Sequence, residues 1–370
     1  MRNLFYPFVP VGHLKVWVLA PSLDNPDPNL SYYYDFSQSI EEYKRVFAEL
    51  SLEWIWQPVT LETYKSIIQN ISNEREKGIY FPVVLNLCDG DEINGAPGLS
   101  VIKALDAKQL IYTGASDYFY DITTSKIPMK EAFDIAGVAT PKWEAIRTID
   151  INTGAVIQHL GSPLIVKPAV SGGSLGVGIK NVVENKAALD IQLQKMFEGY
   201  RGWNLSTDGI VAESFVQGPE YTVMIVGSYN QPEYAKIYPP VERIFHPSLP
   251  ENERFLSFDR LWEIYEEETP MPSNENFYEY QASPTDTQLE IQKICWDAYV
   301  AVNGTGYTRV DVRVDIKTGK AYVLEVNAQC GISEDENFTS IGAILKFAGQ
   351  SFTELVVHII NDAFARRRIN

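Results

Sequence analysis

The chain has 370 residues, with 48 acidic against 31 basic side chains and a formal charge of −17. At about 150 residues per domain this length means two or three domains with a sizeable core. A 45% hydrophobic and 21% charged composition is that of a globular protein and excludes disordered and fibrous classes. The acidic balance argues against a nucleic-acid or anionic-membrane partner, so a site for an anionic substrate must gather its own cations.

Cys88, Cys295 and Cys330 lie far apart with no CxxC spacing, which fits a reducing compartment and offers no structural zinc site. Residues 4–23 are apolar enough to resemble a signal peptide. Pro7, Pro10, Gly12, His13 and Lys15 interrupt them, and no small-residue cleavage site follows, so a first strand is the better reading. No apolar run approaches the roughly 18 residues of a membrane helix, and a cytoplasmic location is the default.

Residues 14–20 read as a buried strand, and 39–50 as a helix with Ile40, Tyr43, Val46, Phe47 and Leu50 on one face. A second apolar run at 81–87 leads into the polar loop 88–95, a helix through Val101 and Leu105, and a short strand at 110–112. Alternating strands and helices predict a parallel sheet covered on both faces, forming a domain over 1–116.

A helix at 126–136, closed by Gly137 where a left-handed residue is needed, opens a second block. Strands at 143–146, 164–167 and 177–180 and a helix at 185–197 give an α+β domain over 117–208. The third block, 209–370, has strands at 210–215 and 221–226, then a stretch at 239–284 rich in Pro, Glu and aromatics without periodicity. A loop of that length reads as a lid. A helix at 286–302, a hairpin at 307–327 and helices at 338–348 and 351–365 follow, Ser351 and Glu354 forming a capping box.

The hairpin carries the strongest local signal. Side chains alternate across a strand, so Arg309, Asp311, Arg313 and Asp315 share one face, as do Glu325 and Asn327 on the returning strand, with Tyr322, Leu324 and Val326 opposite. The turn at 317–319 makes 311 pair with 325 and 309 with 327. Two carboxylates and an amide oxygen beside an arginine suit Mg²⁺; a solvated sheet face with ion pairs would explain Asp311 and Arg309 but not Asn327. A second signal is the strand ending in Lys167, followed by a glycine-rich loop with Gly172, Gly173 and Ser174, whose backbone N–H groups can approach phosphate. In a third, Glu213 lies on a strand and Glu220 opens the next, placed to accept from an adenine amino group or ribose hydroxyls; alone they read as ordinary surface glutamates.

In this order and spacing, VKPAVSGGSLGVG from Val166, VAESFVQGPEYTV from Val211, and TRVDVRVD with YVLEVNAQCG before residue 332 resemble the ATP-grasp superfamily, and within it the D-alanine–D-alanine ligase-like branch. IYTGAS from Ile111 and SKIPMKEAFDIAGVATP from Ser125 match more weakly. The resemblance implies an ATP-grasp fold, mixed α/β and α+β, with ATP between two α+β subdomains. It gives Lys126 and Lys167 to the phosphates and adenine side, with Gly172, Gly173 and Ser174 in the phosphate loop. Glu213 with the backbone at Phe215 and Val216 goes to adenine, and Glu220 to ribose. Asp311, Glu325 and Asn327 match ligands of two Mg²⁺ ions, with Mn²⁺ as the alternative. Arg309 matches the arginine at the reacting phosphoryl and tetrahedral centre, and Gly331 an N–H donor there.

The implied reaction is ATP-dependent, ADP-forming amide synthesis through an acyl phosphate. Its partners are small-molecule amino-acid or carboxylate substrates and, by analogy with the family, a second copy in a homodimer. Departures surround the amino-acid pockets. Gly173 replaces a serine, Cys330 a proline and Asp89 a histidine, and Asp35 takes the place of an anchoring glutamate. The loop 332–338 is longer and carries Glu334, Asp335 and Glu336, which would favour a cationic substrate. The lid segment lacks its lysine, leaving Arg260 or Arg254 as the catalytic cation. The alternatives are a strict D-alanine–D-alanine ligase of cell-wall synthesis, and a regulatory nucleotide-binding protein without turnover. Retention of the metal ligands, Arg309 and both lysines argues against the last.

Overall fold

In the structure, a computed structural model, residues 13–23, 35–200, 202–272, 275–335, 337 and 339–367 are described. The first layer follows the alternation of the sequence: β1 (Leu14–Pro21), α1 (Ser37–Leu50), β2 (Glu53–Val59), α2 (Tyr64–Lys77), β3 (Phe81–Asn86), α3 (Leu99–Ala107) and β4 (Ile111–Tyr112). The strands pair in parallel in the order β2-β1-β3-β4. β1 and β3 are buried almost throughout, as a sheet covered on both faces requires. β2 and α2 have no counterpart in the sequence reading. β2 is a half-buried edge strand whose apolar residues do not form a buried run.

Two short helices, α4 (Asp117–Thr124) and α5 (Lys126–Ala136), lead to the central unit: β5 (Trp143–Ile146), α6 (Thr153–Leu160), β6 (Leu164–Pro168), β7 (Val182–Val183), α7 (Lys186–Glu198) and β8 (Ile210–Ser214). These strands form an antiparallel sheet in the order β5-β8-β6-β7. The boundary expected at residue 209 is therefore corrected, because β8 pairs inside the central sheet. The strand expected at 177–180 is corrected too. The backbone there makes a 3-10 turn at Ile179–Asn181. The buried Asn181 amide donates to the Val166 and Gly176 carbonyls at 2.7 and 2.9 Å, taking the place of a strand ladder.

The last unit runs through β9 (Glu220–Ser228), β10 (Lys236–Ile237), β11 (Val241–Phe245), α8 (Phe258–Leu261), β12 (Tyr278–Ala282), α9 (Thr285–Ala301), β13 (Thr305–Val314), β14 (Ala321–Ala328), α10 (Ser340–Ala348) and α11 (Phe352–Arg367). Its six-stranded sheet has the order β12-β11-β9-β13-β14, with β10 beside β9. The stretch 239–284 is thus not a structureless lid: both ends are sheet strands, and the excursion is confined to 246–277. The capping box forms as expected, with Glu354 accepting from Ser351 N–H at 2.7 Å and Ser351 from Glu354 N–H at 3.2 Å.

The first and last units share their apolar cores. One cluster joins Leu19, Val84, Leu105 and Phe119 to Val223, Val310, Val323 and Tyr299. Another joins Val16, Tyr43, Phe47 and Leu85 to Met224, Ile344, Val356 and Ile360. The central sheet closes on Ile146, Val156, Val166, Leu189, Leu193 and Ala212. Among the described residues no single helix is long and apolar enough to cross a membrane.

Candidate active site

A cavity of about 860 Å³ opens where the central sheet, the six-stranded sheet and the first layer meet. One wall comes from β6 and β8, whose antiparallel register sets Ile165 against Glu213 and Val166 against Ala212. This brings the Lys167 ammonium onto one Glu213 oxygen, while Lys130 from α5 holds the other at 2.7 Å. Burial alone would raise the Glu213 pKa, but Lys130 and Lys167 hold it down at about 2. Burial in turn depresses Lys130 and Lys126. Lys126 lies 3.3 Å from Ser171 Oγ and 3.7 Å from Glu325, so it bridges the glycine-rich loop and the opposite sheet.

The loop after β6 turns through left-handed Gly173, Ser174 and Gly176. At Gly176 a Cβ would come within 2.9 Å of Pro168 and 2.8 Å of Leu205, so a side chain there would unseat the loop. The excursion 246–277 folds onto this loop. Phe258 N–H donates to Val177 O at 2.8 Å, Trp262 Nε1 to Gly173 O at 2.9 Å, and Glu268 accepts from Ile179 N–H at 2.9 Å. Phe255 packs edge-on against Phe215 at 6.0 Å. Phe255, Leu256, Phe258, Leu261, Trp262 and Ile264 line the cavity.

The facing wall is β13 and β14. The expected pairings hold, Asp311 with Glu325 and Arg309 with Asn327, and a bulge then shifts the register so that Val312 meets Val323. The bulge turns Leu324 into the cavity beside Glu325, correcting the expectation that it faces away. Arg309 clasps Asp311 through Nε at 3.1 and 3.2 Å and Nη2 at 2.9 Å. Asn327 Nδ2 donates to Asp311 at 3.1 Å and to Glu325 at 3.3 Å. Despite the cost of burial, Asp311 keeps the Arg309 guanidinium firmly charged. Glu220 is buried between Arg243 and Arg313; Arg313 Nε reaches it at 2.9 Å and Arg313 Nη1 reaches Val216 O at 3.0 Å. Burial works against ionisation of Glu220, and Arg243 followed by Arg313 more than offsets it. In this acidic chain, Lys126, Lys130, Lys167, Arg243, Arg309 and Arg313 concentrate the positive charge that an anionic substrate needs.

Gly331 borders the cavity with nothing within 4 Å of where its Cβ would sit, while the neighbouring Cys330 thiol is buried and pushed up to about 12. Helix α10 points its N-terminus at the same space through Thr339, Ser340 and Ile341. Lys130, Arg243, Arg313, Thr339 and Ser340 were absent from the sequence-derived site. The Thr-Ser pair before an apolar helix was a legible cap signal; Lys130 and Arg313 lie on elements the sequence had already singled out, α5 and β13, and Arg243 comes from β11.

Arg260 is not brought to the cavity. It is 5% exposed and paired with Glu253 at 2.7 Å and Glu268 at 3.6 Å, so the expected catalytic cation instead braces the excursion from within. Arg254 donates to the Leu249 and Pro247 carbonyls at 2.9 and 3.2 Å. Asp35 caps Ser37 N–H at 2.9 Å on the surface. Glu334 pairs with Arg45, and Asp335 accepts from Asn337 N–H at 3.0 Å; neither lines the cavity, and Glu336 lies outside the described residues. Among the described residues no cluster of three His, Cys, Asp or Glu forms a metal cage.

Two antiparallel sheets facing each other across a cation-rich cavity, with a parallel sheet before them, define an ATP-grasp protein. A family model described as "D-ala D-ala ligase C-terminus" matches residues 132–361. A D-alanine–D-alanine ligase of Dechloromonas aromatica is 30% identical over 261 residues, 70% of this chain and 74% of that one. Another, of Polynucleobacter asymbioticus, is 29% identical over 270 residues, 71% and 69% of the two chains. The Bacillus anthracis D-alanine–D-alanine ligase structure superimposes with a TM-score of 0.67 at 19% identity over 96% of this chain and 99% of its own. The same enzyme complexed with ATP gives a TM-score of 0.64 at 20% identity, again over 96% and 99% of the two chains. The chain belongs to the D-alanine–D-alanine ligase family and is an ATP-dependent, ADP-forming ligase of that type.

Proposed function

We propose that the chain couples two amino acids through an acyl phosphate. The observation that carries this reading is that the Lys167–Glu213–Lys130 and Lys126 groups face Arg309, Asp311, Glu325, Asn327 and Gly331 across one cavity. A free carboxylate resists amine attack. Transfer of the ATP γ-phosphoryl to it creates an acyl phosphate with a good leaving group, and the amine then adds. Positioning and charge neutralisation dominate such a transfer, which suits a cavity lined by cations and hydrogen-bond donors.

In this reading Lys126, Lys167 and the N–H groups at Gly172, Gly173 and Ser174 take the phosphates, with Glu213, Phe215 and Val216 around adenine and Glu220 at the ribose. Arg309 and the Gly331 N–H stabilise the oxyanion. Asp311, Glu325 and Asn327 suit Mg²⁺, or Mn²⁺ in its place: they are hard oxygen donors completed by substrate phosphate, and a half-turn of the Asn327 amide presents its oxygen. The bound ion would neutralise charge on the transferring phosphoryl group. The α10 N-terminus with Ser340 favours the carboxylate of the incoming amino acid.

The names of the relatives make D-alanine the first candidate on both sides, and an ATP consumer of this kind suits the cytoplasm. ADP release measured with D-alanine and with pairs of other amino acids, and the mass of the product, test the reading. ATP turnover indifferent to every amino acid would refute it.

A further inference from the structure

We propose that Asp89 receives the ammonium group of the amino acid whose carboxylate is activated, and so fixes which substrate is the acyl donor. The inference rests on the ligase reading above and assigns a specificity determinant within it. Asp89 lines the cavity, and among the described residues its carboxylate accepts from its own backbone N–H and has no ion-pair partner. Its acidic neighbours are occupied: Asp91 accepts from Ile93 and Asn94 N–H at 3.0 Å each, and Glu92 from Gly98 and Ser100 N–H at 3.1 and 2.6 Å.

The loop presenting Asp89 is held firmly. Gly90 bridges Gly98, and a Cβ on Gly98 would fall 1.9 Å from Gly90 O. Tyr120 Oη donates to the same Gly90 carbonyl at 2.9 Å. Asp89 also stands at the reacting end of the cavity, since its charge, like those of Arg309 and Asp311, acts on the Cys330 thiol next to Gly331. Arg309 is already committed to Asp311, so it does not neutralise Asp89. The carboxylate is exposed to the cavity, so an ammonium group that enters it can pair with Asp89 directly. An amine held against a carboxylate stays protonated and cannot attack an acyl phosphate. The anchored amine is therefore the donor's own, and the free amine of the second amino acid is the nucleophile.

Calorimetric binding of alanine, lactate and propionate in the presence of a non-hydrolysable ATP analogue tests this on the full chain without turnover. In Asp89→Asn, alanine binding is expected to weaken by about tenfold or more, as for a lost charged hydrogen bond. Lactate and propionate should bind as in the unsubstituted protein, and affinity for the ATP analogue reports that the variant is folded. Unchanged alanine binding in Asp89→Asn, or an equal loss for all three acids, overturns the proposal. Trapping the acyl phosphate with hydroxylamine is the separate check on the ligase reading: no hydroxamate from any acid sinks that reading, while the binding series still decides the role of Asp89.

Discussion

Trp262 donates its indole N–H to the carbonyl of Gly173, 89 positions away, at 2.9 Å. This bond ties the excursion from the six-stranded sheet to the glycine-rich loop of the central sheet, across the mouth of the cavity. Trp262→Phe keeps a ring there and removes the donor. A hydrogen bond of about 1 kcal/mol is lost, so the KM for ATP should rise roughly fivefold. Water should also gain access to the intermediate, lowering the amide formed per ADP released. Product and ADP quantified in the same reaction check this; unchanged coupling would show that the contact does not close the site.

Arg260 and Arg254 should separate as a stabilising and a nearly silent residue. Removing the buried Arg260 leaves Glu268 and Glu253 without their cation, and breaking a buried pair costs about 3 kcal/mol. Arg260→Ala should unfold at clearly lower denaturant than the unsubstituted chain. Arg254→Ala loses bonds to two carbonyls near the surface and should cost under about 1 kcal/mol. Denaturant titration of both variants compares them, and equal midpoints would contradict the burial argument.

Glu325→Gln keeps the shape of the side chain and removes its charge. If Asp311, Glu325 and Asn327 hold a divalent ion, the Mg²⁺ concentration for half-maximal ADP release should rise at least about tenfold. An activity loss that added Mg²⁺ and Mn²⁺ leave unchanged, with no shift in the metal requirement, would assign Glu325 to holding Lys126 instead.

Glu213 links stability to pH. Its folded pKa of about 2 lies below the ordinary glutamate value of 4.5, so its ion pairs contribute fully above pH 4.5 and are lost as pH falls through about 2. Glu213→Gln should be less stable at neutral pH, with Lys130 and Lys167 left facing an uncharged amide, and its stability should fall less steeply over that acid window. Denaturant midpoints collected from pH 6 down to pH 2 for both proteins provide the comparison.

The β13–β14 hairpin could be read from sequence because a short turn and strict alternation fix which residues share a face; the Asp311–Glu325 and Arg309–Asn327 pairs needed nothing else. The bulge at Leu324 has no glycine or proline to announce it. It arises from fitting β14 against β13, so the side chain it turns into the cavity could not be foreseen. Lys130 looks like any helix lysine, and only the packing of α5 against β8 buries it on Glu213. Arg260 failed in the opposite sense. A cation in an aperiodic stretch suggested an exposed arm, whereas Glu253 and Glu268, both nearby in sequence, draw it inward. Asp89 stood out as a departure from the family pattern, but only the cavity reveals that no cation among the described residues pairs with it.

The shared apolar clusters have a consequence for how the chain is made. Tyr43 and Phe47 of α1 are buried in the same cluster as Leu355, Val356, Ile359 and Ile360 of α11. Part of this face packs on β1–β3 within the opening layer, but its burial is completed only once synthesis has reached α11, so apolar surface stays exposed on the ribosome until then. The central sheet, closed on its own core, can fold while the rest is still being translated. The order of folding thus differs from the order of translation, and the nascent chain is most vulnerable to aggregation at the end that emerges first.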